Sequence, residues 1–188
     1  FFQISPIIQS GILKKNYVES SSIDSVTNVY NRKYFIKNLN KQLSLAGNSN
    51  SKISFLMIGI DHFKAVIDEF DYDIADKVLI ELAKVIHSNI KEYDLVARLT
   101  GDEFLIAITS TQNYNEIIDI TKTIIHDFSK IEVPVNNNQH ILKKTICIGI
   151  DSLEINENKN IDDIIKNADI ALYEANNKGR SQYVYFQE

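Results

Sequence analysis

The run "ISFLMIGI" at residues 53–60 constrains the fold more than any other stretch of the chain. It is apolar without interruption, so it reads as a strand buried on both faces, and such a strand needs a covering layer on each side. The helices that could supply those layers are legible as periodic patterns. Ile74, Val78, Leu79, Leu82, Val85, Ile86 and Ile90 recur at three- and four-residue intervals and mark a long amphipathic helix. Ile117, Ile118, Ile124, Ile125 and Phe128 form a second helical face, and Tyr34, Phe35, Leu39 and Leu43 a third. The stretch "IDDIIKNADIALYEANNK" (161–178) reads as a fourth helix. A hairpin with strands near 94–99 and 103–109, a strand over "ILKKTICIGID" (141–151) and a closing strand "QYVYF" (182–186) complete the pattern. Helices interleaved with strands predict an α/β fold, a mixed sheet of about five strands flanked by helices.

With 188 residues, one domain plus an appendage is expected. Residues 1–22, interrupted by Pro6 and Gly11 and ending in the serines 20–22, read as a linker or helical lead-in from an upstream domain, with the main domain over 23–188. The chain starts at Phe, which points to an excerpt from a longer protein with a sensor or membrane segment upstream. A net charge of −5 without a basic stripe argues against nucleic-acid binding. No apolar run is long enough to span a bilayer, and no signal peptide is recognisable. The single cysteine, Cys147, sits in the strand pattern "TICIGI" and is expected to be buried; one thiol makes no disulfide framework and suits a reducing compartment. The expected location is therefore the cytoplasm, either free or as the cytoplasmic part of a membrane-anchored protein.

The chemistry-bearing residues gather where strands end. "GIDHFK" places Asp61 and Lys64 just past strand 53–60, and "TGDEF" places Asp102 and Glu103 at the hairpin tip. Strand ends of an α/β sheet commonly host a site. Two such carboxylates could share a Mg²⁺ together with substrate phosphates, and Lys64 and Arg180 could take phosphate oxygens. The acidic stretch "DEFDYDIAD" (68–76) fails as a calcium loop, because neither Asp73 nor Asp76 supplies the glycine required at the sixth position. It reads instead as an acidic loop and N-cap leading into the long helix. The histidines at 62, 87, 126 and 140 have no zinc-ligand spacing and are expected at the surface or its boundary.

Four motifs then occur in one order. "DSVTNVYNR" (24–32), "GIDHFKAVIDEFDYDIAD" (59–76), "RLTGDEF" (98–104) and "ADIALYEANNKGR" (168–180) together resemble the GGDEF domain, the catalytic module of diguanylate cyclases. The resemblance implies a fold similar to the palm of nucleotidyl cyclases and a reaction in which two facing domains join two GTP into cyclic di-GMP. It implies Mg²⁺ or Mn²⁺ held by the residue at 59, the Ile60 carbonyl and Asp102, with Asp102 and Glu103 at the catalytic positions. Guanine would be read at 67 and by Asp76. The phosphates would be held by Lys64, Gly101, the residue at 176 and Arg180.

At several of these positions the chain departs from the family pattern. Gly59 stands in place of the first metal aspartate, leaving Asp61 as the nearby acid that could substitute for it. Ile67 replaces the guanine-reading asparagine, at a cost of roughly 1–3 kcal/mol for a buried polar group left unpaired. Asp71, Tyr72 and Ala75 stand where the family has Gly, His and Gly, which predicts a different path for this loop. Thr100 replaces the first signature glycine, where a β-branched residue resists positive φ. Asn176 replaces a phosphate lysine, and "KEYD" (91–94) stands where the family's product-inhibition motif has R-x-x-D. The expectation is a degenerate GGDEF domain without effective cyclase activity. It would serve as a regulatory, GTP-binding or dimerising module, beside a sensor or an EAL-type phosphodiesterase domain. The alternative is a weakly active cyclase using Asp61, Asp102 and Glu103 in a shifted metal arrangement.

Overall fold

The structure, a computed structural model, describes residues 22–46, 52–135, 139–154 and 160–187. The apolar run forms β2 (Lys52–Ile60), in which Ile53 to Ile58 are all buried. Its neighbours, β4 (Glu103–Ile108) and β7 (Ile146–Glu154), are both antiparallel to it. β3 (Leu95–Thr100) continues the sheet beyond β4. The short strands β1 (Tyr30–Asn31) and β8 (Tyr183–Tyr185) close the edges, parallel to β3 and β7. The order is β1-β3-β4-β2-β7-β8, a mixed six-stranded sheet, one strand more than the periodicity predicts.

Strand alternation divides β2 between two cores. Leu56, Ile58 and Ile60 face α3 (Tyr72–Asn89) and α4 (Tyr114–Lys130), packing with Val78, Leu79, Leu82, Ile117, Ile124 and Phe128. Ile53, Phe55 and Met57 face α1 (Arg32–Ala46) and α5 (Ile161–Lys178), packing with Phe35, Leu39, Ile164, Ala168 and Leu172. Fully burying one such Phe, Leu or Ile contributes roughly 1.5–3 kcal/mol. The sheet is therefore covered on both faces, as its central run requires. On the α5 side the approach is so close that a Cβ at Gly149 would lie 2.0 Å from the Ala168 carbonyl oxygen and 2.2 Å from the Leu172 nitrogen. Only glycine fits there, facing the small residues Ala168 and Ala171.

Two details differ from the sequence reading. The stretch 141–151 is not one strand: it breaks at residues 143–145, and its first part belongs to a separate hairpin of β5 (Val133–Val135) and β6 (His140–Leu142). The acidic stretch is not all loop, since α2 (Phe63–Glu69) occupies its start. Asp71 does cap α3, accepting the Ile74 N–H at 3.0 Å. Asn113 and Asn160 cap α4 and α5 in the same way, a use for asparagines that composition alone marks only as loop residues. Cys147 is fully buried and all four histidines are exposed. The expected lead-in over 1–22 lies outside the described residues apart from Ser22. No helix among the described residues is long and apolar enough to cross a membrane.

Candidate functional site

The candidate residues collect at one end of the sheet, where β2 finishes, the β3–β4 hairpin turns, β7 begins and α5 ends. Gly101 and Asp102 form the two-residue hairpin turn between Thr100 and Glu103. Gly101 carries the positive φ of the turn, +53°, whereas Thr100 is not among the positive-φ residues. The threonine therefore does not oppose the turn, contrary to the sequence expectation. The tip is fastened from behind: Arg98 donates through Nε to the Gly101 carbonyl at 2.8 Å and through its guanidinium to Asp24 at 3.2 Å. Asp24 also accepts from the Thr27 N–H and hydroxyl. Burial pushes its carboxyl up, but the Thr27 donors and Arg98 outweigh that and hold it below the ordinary value.

Asp102 lies two residues beyond Phe104, the last β4 residue paired with β2 (to Ile58), and its Oδ2 accepts the Ile60 N–H at 3.0 Å. A side-chain carboxylate thus continues the β2–β4 ladder where the backbone turns away. Burial raises the Asp102 pKa, opposed by the Ile60 N–H and the Arg98 charge. Glu103 points to the other side of the sheet, into a cleft of about 370 Å³ shared with Arg32, Lys166 and Asp169. Burial, then the charges of Asp169 and Asp102, push its pKa up.

Asp61 does something the sequence does not announce. It is buried, and its carboxylate accepts from the Thr145 hydroxyl, from the Ser181 N–H at 3.1 Å and from the Cys147 thiol at 3.2 Å. Its own N–H donates to the Thr145 carbonyl. Asp61 therefore knots the end of β2 to the start of β7 and the exit of α5. Burial, then the Asp61 contact, pushes the Cys147 thiol up to about 11, so it stays protonated as the donor of that knot. Lys64 and Arg180 are exposed at the same end, and Asp76 is half-buried on α3 with no ion pair among the described residues.

A family model described as "Diguanylate cyclase, GGDEF domain" matches residues 21–182. The chain belongs to the GGDEF family. Response regulator PleD of Caulobacter vibrioides is 29% identical over 193 residues, covering 97% of this chain and 42% of PleD. MucR of Pseudomonas aeruginosa, described as a bifunctional diguanylate cyclase/cyclic di-GMP phosphodiesterase, is 29% identical over 164 residues, covering 87% of this chain and 23% of that protein. The chain thus spans less than half the length of either relative. Among solved structures, the coiled coil and GGDEF domain of DgcB from Caulobacter crescentus, in complex with c-di-GMP, matches with a TM-score of 0.86 at 20% identity, covering 95% of this chain and 93% of that one. The active GGEEF domain of a diguanylate cyclase from Vibrio cholerae matches with a TM-score of 0.73 at 27% identity, covering 84% and 97%.

The departures from the GGDEF pattern now have positions. Gly59 offers no side chain, although a Cβ there would meet only Leu172, at 3.5 Å. Ile67 is half-buried and packs on the α3–α4 core instead of offering a hydrogen bond. Asp71 has φ 143° and ψ −179°, a conformation that is essentially glycine's. The loop thus takes a glycine-type path with an aspartate in it, where the substitution predicts a different one. In "KEYD", Asp94 is buried and accepts from the N–H groups of Lys91, Thr109 and Ser110 and from the Ser110 hydroxyl. It is a structural hub.

The donor set does not fit the pair of divalent ions that GGDEF chemistry implies. Position 59 has no carboxylate, the Asp61 oxygens are occupied within the protein, and an oxygen of Asp102 is engaged by Ile60. Among the described residues no group of three or more His, Cys, Asp or Glu side chains could hold a metal. Sequence reasoning missed the Asp61 knot, the Arg98–Asp24 fastening and a further cation, Lys144, whose Nζ donates to the His62 carbonyl at 3.2 Å. Only the Asp24–Thr27 pair carried a local signal, since an aspartate three residues before a threonine is a turn-forming pattern.

Proposed function

We propose that this is a degenerate GGDEF domain of cyclic di-GMP signalling. It lacks effective cyclase activity and acts as a regulatory module that binds GTP and pairs with a second GGDEF face. The observation that carries this reading is the pairing of Gly59 with the buried, fully engaged Asp61. The position that should supply a carboxylate has none, and the neighbouring acid that could replace it is committed to Thr145, Cys147 and Ser181. Two-ion chemistry needs both the attacking and the leaving oxygen clamped, and the residues here leave Asp102 as the one acid beside the end of β2. Ile67 in the core adds to this, because a hydrocarbon cannot select guanine over other bases.

What remains suits binding. Asp76 can still face a base, and Lys64, Gly101 and Arg180 line the end of the sheet where phosphates would lie. In this reading the domain works in the cytoplasm beside a sensor or an EAL-type phosphodiesterase domain, and the relative described as a bifunctional diguanylate cyclase/cyclic di-GMP phosphodiesterase supports the second pairing.

The retained hairpin turn and the placement of Asp102 favour one other reading, a weakly active cyclase with Mg²⁺ or Mn²⁺ at Asp102. One experiment separates the two. The purified chain is incubated with GTP and Mg²⁺ or Mn²⁺ and assayed for cyclic di-GMP, alongside GTP binding by calorimetry. GTP binding without product is expected. Steady product formation that disappears in Asp102→Ala would overturn the inactive reading.

A further inference from the structure

Asn176 stands where the family resemblance implies a phosphate lysine, and a cation outside all four motifs, Lys144, lies at the same end of the sheet. Lys144 precedes β7, is half-buried, and reaches the turn at Asp61–His62 through its bond to the His62 carbonyl. That carbonyl already accepts the Ala65 N–H, so the turn does not depend on Lys144 for closure. An ammonium carries three N–H donors. His62 takes one, and among the described residues no carboxylate lies within ion-pair distance of the others. The charges that act on it from farther away are Asp61, Arg180 and Glu69. Of these, Asp61 has its oxygens filled by Thr145, Ser181 and Cys147, and Arg180 is a second cation. Burial, reinforced by Arg180 and opposed by Asp61 and Glu69, holds the Lys144 pKa below the usual lysine value. The half-buried Lys144 and the exposed Arg180 adjoin Thr145 and Ser181, which both bond Asp61, so the two cations stand at one end of the sheet, and their mutual repulsion is relieved by an incoming anion.

We infer that Lys144 and Arg180 form the phosphate grip of this domain, with Lys144 supplying from the approach to β7 the cation that position 176 lacks. The ligand class is a polyphosphate ester, which an ammonium and a guanidinium bind as a point charge and a planar fork respectively. The inference rests on the reading that the domain binds GTP.

The test titrates the chain with GTP, with inorganic tripolyphosphate and with guanosine by calorimetry. GTP and tripolyphosphate bind, and Lys144→Gln weakens both by roughly tenfold or more, as loss of a charged hydrogen bond would. Guanosine titrations are the same for both chains. Adding Asn176→Lys to Lys144→Gln restores most of the affinity, and Lys144→Arg, which keeps the charge, stays near the unaltered chain. If GTP binds and Lys144→Gln leaves its affinity unchanged, the grip is wrong while the nucleotide reading stands. If neither GTP nor tripolyphosphate binds the unaltered chain, both fall.

Discussion

Asp71 is where backbone geometry and side-chain identity disagree most, and the disagreement can be measured. At φ 143° and ψ −179° its Cβ is forced into a region nearly closed to any residue but glycine, a strain of roughly 1–3 kcal/mol. Asp71→Gly removes that strain. Against it stand three losses: the N-cap to Ile74, worth only about 0.3 kcal/mol when glycine is the replacement; the helix-dipole interaction, about 0.3–1 kcal/mol; and greater unfolded-state freedom, about 0.4–1 kcal/mol. The balance centres near neutrality to slight stabilisation and spans about 1 kcal/mol of loss to about 2 kcal/mol of gain, each kcal/mol being roughly 2–4 °C in Tm for a chain of this size. Asn113 and Asn160 provide internal controls. They cap α4 and α5 at φ −77° and −79°, where no strain exists to relieve. Asn113→Gly and Asn160→Gly should each lose about 1 kcal/mol through the cap and the unfolded state. Urea unfolding followed by circular dichroism, with m-values checked for equality, gives the comparison. Asp71→Gly should exceed the two controls by about 1–2 kcal/mol. Three equal destabilisations would refute the claim that this loop stores glycine-type strain.

Gly59→Asp fits sterically, because its Cβ would make ordinary contacts with Leu172; it should raise Mn²⁺ affinity roughly tenfold or more by adding a charged ligand, yet leave cyclic di-GMP undetectable while Ile67 remains. Unchanged Mn²⁺ titrations would count against the metal argument. Asp102→Asn should raise stability at neutral pH. The folded carboxyl has a raised pKa, so the folded chain keeps its proton where the unfolded chain has lost it, and stability falls as pH climbs through the folded value. The gain should vanish below the ordinary aspartate value of 3.8, and a pH-independent difference in urea midpoints would contradict it. Asp94→Ala leaves several donors around a buried site without an acceptor and should cost roughly 2–4 kcal/mol in unfolding free energy; a loss under half a kilocalorie would show that water satisfies them.

Much of the fold was legible because it is written in local periodicity: the unbroken run 53–60 demanded two covering layers, and three- and four-residue spacings located α1, α3 and α4. The β5–β6 hairpin escaped because each strand has three residues and one contains Pro134, too short for alternation to register. At the site, the residues with the expected chemistry were identifiable, but their engagements were not. Asp61 depends on Thr145, Cys147 and Ser181, separated from it by 84, 86 and 120 residues. Nothing near residue 61 distinguishes a metal-facing aspartate from one turned inward. Thr100 misled because the positive φ falls on its neighbour Gly101, and Asp71 because an acid before a helix looks like an ordinary cap.

The guanidinium of Arg98 touches both the turn at Asp24 and the crown of the β3–β4 bend, at the Gly101 carbonyl. Those two places are joined by one side chain, with no core layer in between. A twist or tug delivered at residue 24 would therefore arrive at Gly101 along a lever a few ångströms long, while the helices on either side of the sheet stay still.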